Sequence, residues 1–356
     1  MTVGFYWAAY HSKRKNLDRV EAYLKGNIEW AIENNLKVKG HPLLWHESLP
    51  EWVINYTDSK KLDKIIKNRI RHLIESNPKI KYWDVYNEPV AVFKDHVTAS
   101  GVTRWVSYKG GIEPAMKELY DFVYSVDSTK IYTNNHYNPS EPSFLALNQY
   151  FNDNGVHYDA VGMQAHMQTH AGVLSEHALW KLLTDYESLG KDIQFTELTV
   201  TSSRRFNDWR DHQGFLKKRK AEIKMGKTLN LPSLPEYETY QSDYLKDFYT
   251  LAFSHPSVTS ITFWNLSDRN AWRGHAGGLL DDDLEPKKAY YTLKDLIKNK
   301  WHTSVAKTIK PGEKLTFNGF FGDYSGKIQV NGNSYSFNFK HYKKGTTPIE
   351  VNLTKL

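Results

Sequence analysis

The 356-residue chain contains no cysteine. This absence excludes disulfide bonds, thiolate nucleophiles and cysteine-based metal sites, and it leaves the redox compartment open. The sequence also lacks any apolar run close to the roughly 20 residues that a membrane-spanning helix needs. No segment with the pattern of a signal peptide precedes the first strand-like segment. We therefore expect no membrane partner, and the sequence by itself does not predict export.

Excess charge of one sign is confined to one segment. The formal net charge is +7, and residues 201–236 alone carry nine Lys or Arg against four acidic residues. Such a local excess is more typical of a solvated loop or helix face than of a nucleic-acid site. We therefore expect no nucleic-acid partner.

Aromatic residues are abundant. They make up 14% of the chain, with 11 Trp and 23 Tyr. This excess suits a surface on which sugars or bases stack, and it equally suits a core rich in rings. The 40% of hydrophobic residues allow a sizeable core. The length fits one large α/β domain with an appendage, or two ordinary domains.

Strand-like and helix-like patterns alternate along the first 300 residues. Seven strand–helix units predict a parallel sheet, either open and doubly wound or closed into a barrel. No Gly-rich phosphate turn follows the first strand, which disfavours a dinucleotide-binding fold. A barrel needs eight strands, so its first strand is missing or atypical. The predicted strands lie at residues 3–7, 38–45, 80–86, 130–133, 160–163, 193–195 and 260–264.

The pattern changes after Trp301. In the stretch GKIQVNGNSYSFNF, apolar and polar residues alternate on both sides of an Asn-Gly pair. This pattern predicts a β-hairpin. We therefore divide the chain into a catalytic domain at residues 1–301 and a small β-rich appendage at residues 302–356. The appendage either packs against the barrel or binds carbohydrate.

Two acidic residues each end a predicted strand. Glu88 ends the strand in KYWDVYNEPV, and Glu197 ends the strand in DIQFTELTV. In a parallel barrel the carboxyl ends of all strands open onto one face. The residues placed in the same way are Trp45, His46, Gln164, His166, Trp264 and Trp272.

Two facing carboxyl groups among imidazoles, amides and indoles suit the cleavage of a glycosidic bond. One acid protonates the leaving oxygen while the other attacks the anomeric carbon. Each residue alone has a plainer interpretation, because a Glu after a strand is usually a helix cap or a surface acid. The conjunction favours a sugar-cleaving site.

Six ordered motifs resemble those of glycoside hydrolase family 10. They are GHPLLWH, WDVYNEP, YTNNHYN, VGMQAHM, FTEL and FWNLSDRNAW, and they span about residues 36–300. The resemblance implies a (β/α)8 TIM barrel and a retaining endo-β-1,4-xylanase that degrades xylan or a related plant polysaccharide. It implies Glu88 as general acid/base and Glu197 as nucleophile. It further implies that the substrate is bound by His41, Trp45, Asn87, Tyr137, Gln164, His166, Trp264 and Trp272.

The sequence departs from the family's pattern at three places. A Glu-Asn-Glu-Met-Lys segment that usually grips the distal sugar is replaced by VGFYWAAYHSK, with Phe5, Tyr6 and Trp7. Thr199 stands where the family usually has an Asp after Thr-Glu-Leu, and His136 stands where the family's third motif often has an Asp. These changes leave a second interpretation open, a non-catalytic or weakly active carbohydrate-binding protein on the same barrel.

The resemblance also sets expectations about partners. We expect an oligosaccharide or polysaccharide substrate, no cofactor, no metal and a monomeric protein. The family is typically secreted or periplasmic, so we expect the same location for this chain.

Overall fold

A computed structural model describes residues 1–10, 18–167, 172–310, 312–341 and 350–356. Part of the departing segment VGFYWAAYHSK lies outside the described residues. The chain divides into two compact units, Met1–Ala289 and Tyr290–Leu356. The functional division that we placed after Trp301 stays a prediction.

The first unit is organised around a parallel sheet. Seven strands follow one another in chain order across it, and two short strands, β3 and β7, pair with β4 and β8. Every pairing within this sheet is parallel. The strands are β1 (Thr2–Gly4), β2 (Lys39–His41), β3 (Leu44–Trp45), β4 (Tyr82–Asn87), β5 (Ile131–His136), β6 (Ala160–Met163), β7 (His166–Met167), β8 (Asp192–Val200) and β9 (Val258–Phe263). All seven predicted strands are thus present.

Helices separate the strands, as the predicted strand–helix alternation requires. Helix α3 shows the physical basis: the Asp58 carboxylate accepts a 3.0 Å hydrogen bond from the backbone N–H of Lys61, and Leu62, Ile66 and Ile70 form its buried face. The helices are α1 (Asp18–Glu33), α2 (Glu51–Ile54), α3 (Ser59–Ser76), α4 (Gly101–Tyr108), α5 (Ile112–Val126), α6 (Pro142–Asp153), α7 (Glu176–Glu187), α8 (Trp209–Lys224), α9 (Pro235–Ser254) and α10 (Lys288–Asp295). Short 3₁₀ turns lie at Pro89–Ala91 and Trp272–Gly274, and a π-helical turn lies at Leu296–Lys300.

None of the helices in the described parts of the chain is both long and apolar enough to cross a membrane.

Of the three aromatic residues after β1, two lie in the core and the third lies beside His41. Phe5 and Trp7 are only 1% and 5% exposed. The buried Arg69 donates a hydrogen bond to the Phe5 carbonyl, and its guanidinium lies 5.0 Å from the centre of the Trp7 ring. Phe5 and Trp7 are therefore core residues. The ring of Tyr6 lies elsewhere, 5.5 Å from the His41 ring.

The second unit contains a three-stranded antiparallel sheet. Its strands are β10 (Gly322–Val330), β11 (Asn333–His341) and β12 (Thr354–Lys355). Asn331 and Gly332 connect β10 to β11 with φ of +49° and +79°. Two positive φ values are the signature of the tight hairpin turn that an Asn-Gly pair favours, so the predicted hairpin is confirmed.

Candidate active site

Strand β4 ends in a sharp turn at Glu88. This residue has φ +61° and ψ +49°, in the left-handed region that is uncommon for any residue with a side chain. Its backbone N–H donates a 2.8 Å hydrogen bond to the carbonyl of Asn135 on β5. Such backbone strain is typical of functional sites, where the surrounding structure holds it. The turn carries the Glu88 side chain away from the line of the strand.

A chain of side-chain amides joins Glu88 to Glu197. The Gln164 amide donates hydrogen bonds to Oε1 of Glu88 at 2.8 Å and to Oδ1 of Asn87 at 3.2 Å. The Asn135 amide donates to the same Asn87 oxygen at 2.9 Å and to Oε1 of Glu197 at 3.0 Å. The residues come from the carboxyl ends of β4, β5 and β6 and from within β8. The strand that was predicted to end at Glu197 continues to Val200. Two carboxyl groups from distant parts of the sequence are thereby held in one network.

The orientation of the Asn135 amide is itself constrained. The Thr196 hydroxyl donates a 2.6 Å hydrogen bond to Oδ1 of Asn135. An ionised carboxylate only accepts hydrogen bonds, so the amide nitrogen of Asn135 faces Glu197 and the amide oxygen accepts from Thr196.

Glu197 is buried, with 5% exposure, and is surrounded by nitrogen atoms. Nε2 of His166 lies 3.0 Å from Oε2, and Nε2 of His41 lies 3.9 Å from Oε1. Burial acts to raise the pKa of Glu197, but the charge on His41 and the hydrogen bonds from His166 and Asn135 outweigh it. The pKa of Glu197 therefore lies below its ordinary value, and this carboxyl group is ionised at neutral pH.

Glu88 has the opposite character. Burial raises its pKa to about 7; the hydrogen bond from Gln164 opposes this shift, and the negative charges of Glu197 and Glu47 add to it. Below pH 7 the site therefore holds one protonated and one ionised carboxyl group. In glycoside hydrolysis, two carboxyl groups whose pKa values differ in this way serve as general acid and nucleophile.

His41 is fixed by a buried ion-pair cluster. Its Nδ1 lies 2.7 Å from Oδ2 of Asp84, and the ammonium group of Lys39 lies 2.5 Å from Oδ1 of the same carboxylate. Burial acts to lower the pKa of His41, but the Glu197 and Asp84 carboxylates outweigh this effect and raise it. A cationic His41 next to Glu197 favours the ionised form of the carboxyl group.

Aromatic rings surround the histidines of the site. Trp264 lies edge-on to both His41 and His166, with centroid distances of 5.9 Å in each case. Trp272 lies 4.7 Å from the His166 ring and is 39% exposed. Trp45 lies beside Tyr6, with ring centroids 6.0 Å apart.

Thr199 occupies the position where the family's pattern has Asp. Its hydroxyl oxygen lies 3.2 Å from Nδ1 of His166. Because Nε2 of His166 faces the Glu197 carboxylate, we assign a ring proton to Nε2. The Thr199 hydroxyl also donates a 3.3 Å hydrogen bond to the backbone carbonyl of Glu197, so Thr199 links the His166 ring to strand β8.

Three other residues from the motifs lie outside the amide network. Tyr137 is bonded to Lys94, whose ammonium group lies 3.1 Å from the phenol oxygen. His136 is buried with its ring 4.6 Å from that of Tyr137, and burial lowers its pKa to about 4. His46 is buried beside Tyr86, and burial lowers its pKa to about 3. Both histidines are neutral rings in the packing of the strand ends.

The substrate-binding roles of Tyr137 and the other motif residues stay predictions. The structure brings Asn87, Gln164, His41, His166, Trp264 and Trp272 to Glu88 or Glu197 through the contacts above. Sequence reasoning missed Asn135, Thr196 and Asp84. Asn135 carries a detectable signal, since it ends β5 as Glu88 follows β4, whereas Thr196 and Asp84 are internal to strands.

No group of three or more His, Asp or Glu residues suited to a metal ion occurs in the ranges that the structure describes.

Comparisons with known proteins identify the family of the chain. The family model described as glycosyl hydrolase family 10 matches residues 6–296. Endo-1,4-beta-xylanase B of Thermotoga neapolitana is 25% identical over 308 residues, which cover 83% of this chain and 78% of the relative. Endo-1,4-beta-xylanase A of Caldicellulosiruptor saccharolyticus is 26% identical over 284 residues, covering 74% and 76%.

Solved structures show the same fold. Native xylanase 10B from Thermotoga maritima superposes with a TM-score of 0.63 at 22% identity, covering 83% of this chain and 84% of that one. The Thermotoga petrophila xylanase 10B in complex with xylobiose gives a TM-score of 0.64 at 22% identity, with 83% of each chain covered. The predicted (β/α)8 barrel is thus confirmed. Because the family model matches most of its length, the chain belongs to glycosyl hydrolase family 10.

Proposed function

We propose that this protein is a retaining endo-β-1,4-xylanase that cleaves internal linkages of xylan or a closely related plant polysaccharide. One observation carries the proposal: a single amide network holds two carboxyl groups whose pKa values are shifted in opposite directions. The relatives whose names specify endo-1,4-beta-xylanase support the choice of xylan.

In the first step, the ionised Glu197 attacks the anomeric carbon, and the bond from that carbon to the leaving oxygen breaks. Glu88 transfers its proton to the leaving oxygen, so the shortened chain departs as an alcohol. The sugar is now joined to Glu197 by an ester bond. The positive charge of His41 and the hydrogen bonds from His166 and Asn135 stabilise the Glu197 carboxylate before the attack.

In the second step, Glu88 acts as a base because it has given up its proton. It takes a proton from a water molecule, and the water oxygen attacks the anomeric carbon. The ester bond to Glu197 breaks, and Glu88 is protonated again. Two displacements on the same carbon keep the β configuration, and they require the two carboxyl groups to lie about 5–5.5 Å apart.

The sugar units are held by the rings and amides of the cleft. Trp264 and Trp272 offer flat apolar faces on which pyranose rings stack, while Asn87 and Gln164 supply hydrogen-bonding groups for hydroxyls. A polymer that binds along such a cleft is cut internally. Because a polysaccharide is too large to enter a cell, we also propose a secreted or periplasmic location, and a monomer suffices for this site.

The binding-only alternative is disfavoured by the same carboxyl pair. A protein that only binds sugars does not need a buried acid with a pKa of about 7 beside an ionised one. The departures at Tyr6 and Thr199 alter the surroundings of these groups, and both groups remain.

The direct test is the release of reducing ends from linear β-1,4-xylan. We expect the wild-type protein to release a series of short oligosaccharides and the Glu197→Gln variant to release none above background. The variant keeps the shape of the site, so bound xylooligosaccharide without turnover shows that it is folded. Binding without turnover in the wild-type protein as well would favour the alternative.

A further inference from the structure

Helix α1 exposes two large aromatic side chains on one side. Tyr23 is 71% exposed and Trp30 is 55% exposed. Seven residues separate them, which is about two helical turns, so both rings lie on the same side of the helix, about 10 Å apart along its axis. Among the residues that the structure describes, neither ring packs against another aromatic ring, and neither side chain donates a hydrogen bond. A single exposed aromatic residue is common, whereas two aligned rings form an apolar surface.

The space between the two rings is open and uncharged. Gly26 and Asn27 occupy the helical turn that separates Tyr23 from Trp30. A Cβ atom on Gly26 would meet no other atom within 4 Å. Glycine inside a helix is destabilising relative to alanine, so helix stability does not explain this residue. Gly26 does leave room for a ligand between the rings, and Asn27 offers an amide beside it. These four residues are called the α1 surface below.

The beginning of α1 is attached to the segment that carries Tyr6. The Tyr10 backbone N–H donates a 2.8 Å hydrogen bond to the Tyr6 carbonyl, and the Tyr10 hydroxyl donates a 2.5 Å hydrogen bond to Oε1 of Glu21. Glu21 lies two residues before Tyr23, and the Tyr6 ring lies beside His41 of the active site. The helices of a (β/α)8 barrel form its outer ring. The α1 surface therefore begins near the active site and continues along the outside of the barrel.

The α1 surface is too small for a stable protein partner. A Tyr or Trp side chain buries at most about 250 Å², so the two rings together supply no more than about 500 Å². A stable protein interface needs about 800 Å² from each partner. The area favours a ligand that is one chain wide.

The charge of the helix disfavours anionic ligands. From Val20 to its end, α1 carries three glutamates and one lysine. Nucleic acids and anionic lipid surfaces bind where Lys and Arg are in excess. The ligand that fits is narrow and uncharged, with apolar faces that stack on the rings and polar groups that reach the Asn27 amide. A chain of neutral pyranose units has these properties.

We propose that the α1 surface is a second binding site, outside the active site, for a single chain of neutral β-1,4-linked sugar units. The rings of Tyr23 and Trp30 stack on sugar rings, and the Asn27 amide bonds a hydroxyl group between them. The proposal rests on the xylanase function proposed above and deepens it. A polymer held on α1 stays close to the active site between cuts, because two sites on one protein raise the effective concentration of the polymer at each.

The test measures polymer binding and active-site chemistry separately. Binding is measured as the Kd for insoluble linear β-1,4-xylan, with Glu197→Gln present in every protein so that the polymer is not cut. Chemistry is measured as kcat/KM on an aryl xylobioside, with Glu197 intact. Cleavage of this short substrate takes place only in the active site, so its rate does not depend on the α1 surface.

We expect Tyr23→Ala and Trp30→Ala each to raise the Kd for xylan by about three- to tenfold, the scale of one aromatic contact. Both variants should keep the wild-type kcat/KM on the aryl xylobioside, which also shows that they are folded. The matched control is Trp180→Ala. It removes an indole of similar exposure, 47%, from α7, and it should leave both values unchanged.

Unchanged xylan binding in Tyr23→Ala and Trp30→Ala, or an equal loss in Trp180→Ala, overturns the second site. A homodimer in sedimentation velocity that Trp30→Ala dissociates also overturns it, because the rings would then be an interface between copies of this chain. Failure of the xylanase function gives a different result, in which the wild-type protein cleaves neither the aryl xylobioside nor xylan.

Discussion

The Gln164 side-chain amide donates a 2.8 Å hydrogen bond to Oε1 of Glu88. Nδ2 of Asn87 donates to the same oxygen over 3.4 Å. Both amides thus engage Oε1 as an acceptor, and the proton of the neutral carboxyl group belongs on Oε2. The Glu88 group is therefore arranged to present a proton to a substrate oxygen while its other oxygen is held in place.

The pH dependence of kcat/KM on xylooligosaccharides should be bell-shaped. Activity requires protonated Glu88, whose pKa of about 7 means that the rate falls as the pH rises through about 7. It also requires ionised Glu197, whose lowered pKa means that the rate falls only below the ordinary glutamate value of about 4.3. An upper limb at pH 4–5 would show that Glu88 titrates as an ordinary carboxyl group.

The variants Glu88→Ala and Glu197→Ala should separate the two roles on an aryl glycoside with a good leaving group. Such a leaving group needs little protonation, so Glu88→Ala should keep a burst of released phenol and then stall as the ester accumulates. Glu197→Ala should lack the burst, because no ester forms. The measurement is stopped-flow absorbance of the phenol, and equal loss of the burst in both variants would contradict the division.

Tyr6 and Trp7 should differ in what they control. Tyr6 lies beside His41 and Trp45, and burial together with the charges of Glu197, Asp84 and Glu88 raises its pKa. Stacking on Tyr6 tolerates substituents that a hydrogen-bonding clamp rejects. We therefore expect the wild-type protein to accept both decorated and linear backbones, and Tyr6→Ala to change the ratio of their products.

Trp7 provides the matched comparison because it is a core residue. Trp7→Ala should lower the free energy of unfolding by about 3–5 kcal/mol, as for other buried aromatic residues. Its product ratio should equal that of the wild-type protein. Denaturant unfolding and product analysis by mass test the two expectations, and a changed product ratio in Trp7→Ala alone would show that our placement of the two rings is wrong.

Thr199 should position His166 through its hydroxyl group. Thr199→Val keeps the shape and removes the 3.2 Å contact with Nδ1 of His166. We expect kcat/KM to fall about tenfold because a buried ring nitrogen loses its partner. Thr199→Asp should restore much of the rate and shift the acidic limb of the pH profile to lower pH. The new carboxylate favours the cationic form of His166, and a cationic His166 favours ionised Glu197. A valine variant with unchanged rate and pH profile would assign Thr199 to packing alone.

The strand–helix pattern could be predicted because burial imposes it on the sequence. All seven strands were found from apolar segments, and the Asn331–Gly332 turn follows from the φ values that such a pair allows. One predicted strand, residues 38–45, is divided into β2 and β3 around Pro42. Proline lacks the N–H group that a continuous ladder needs, so this division was detectable in principle.

The polar contacts of the site were less predictable. Glu88 could be identified because it follows the end of β4 and belongs to a recognisable motif. Glu197 could be identified from its motif, although the strand end predicted there was wrong because β8 continues to Val200. Asn135 has only its place near the end of β5 as a signal, and Thr196 has none. The bonds from Asn135 to Thr196 and Glu197 arise only when β5 and β8 belong to the same sheet. The approach of Arg219 to Gly274 joins residues 55 positions apart, which no local pattern encodes.

The central claim is that Glu197 forms a covalent bond with the sugar. A 2-deoxy-2-fluoro xylobioside with a good leaving group slows both steps, and the second more than the first, so the ester accumulates. Peptide mass spectrometry of the inactivated wild-type protein should place one fluorosugar on Glu197, and none should be found in Glu197→Gln. A label on any other residue, or turnover of natural substrate to a product of inverted configuration, would contradict the mechanism.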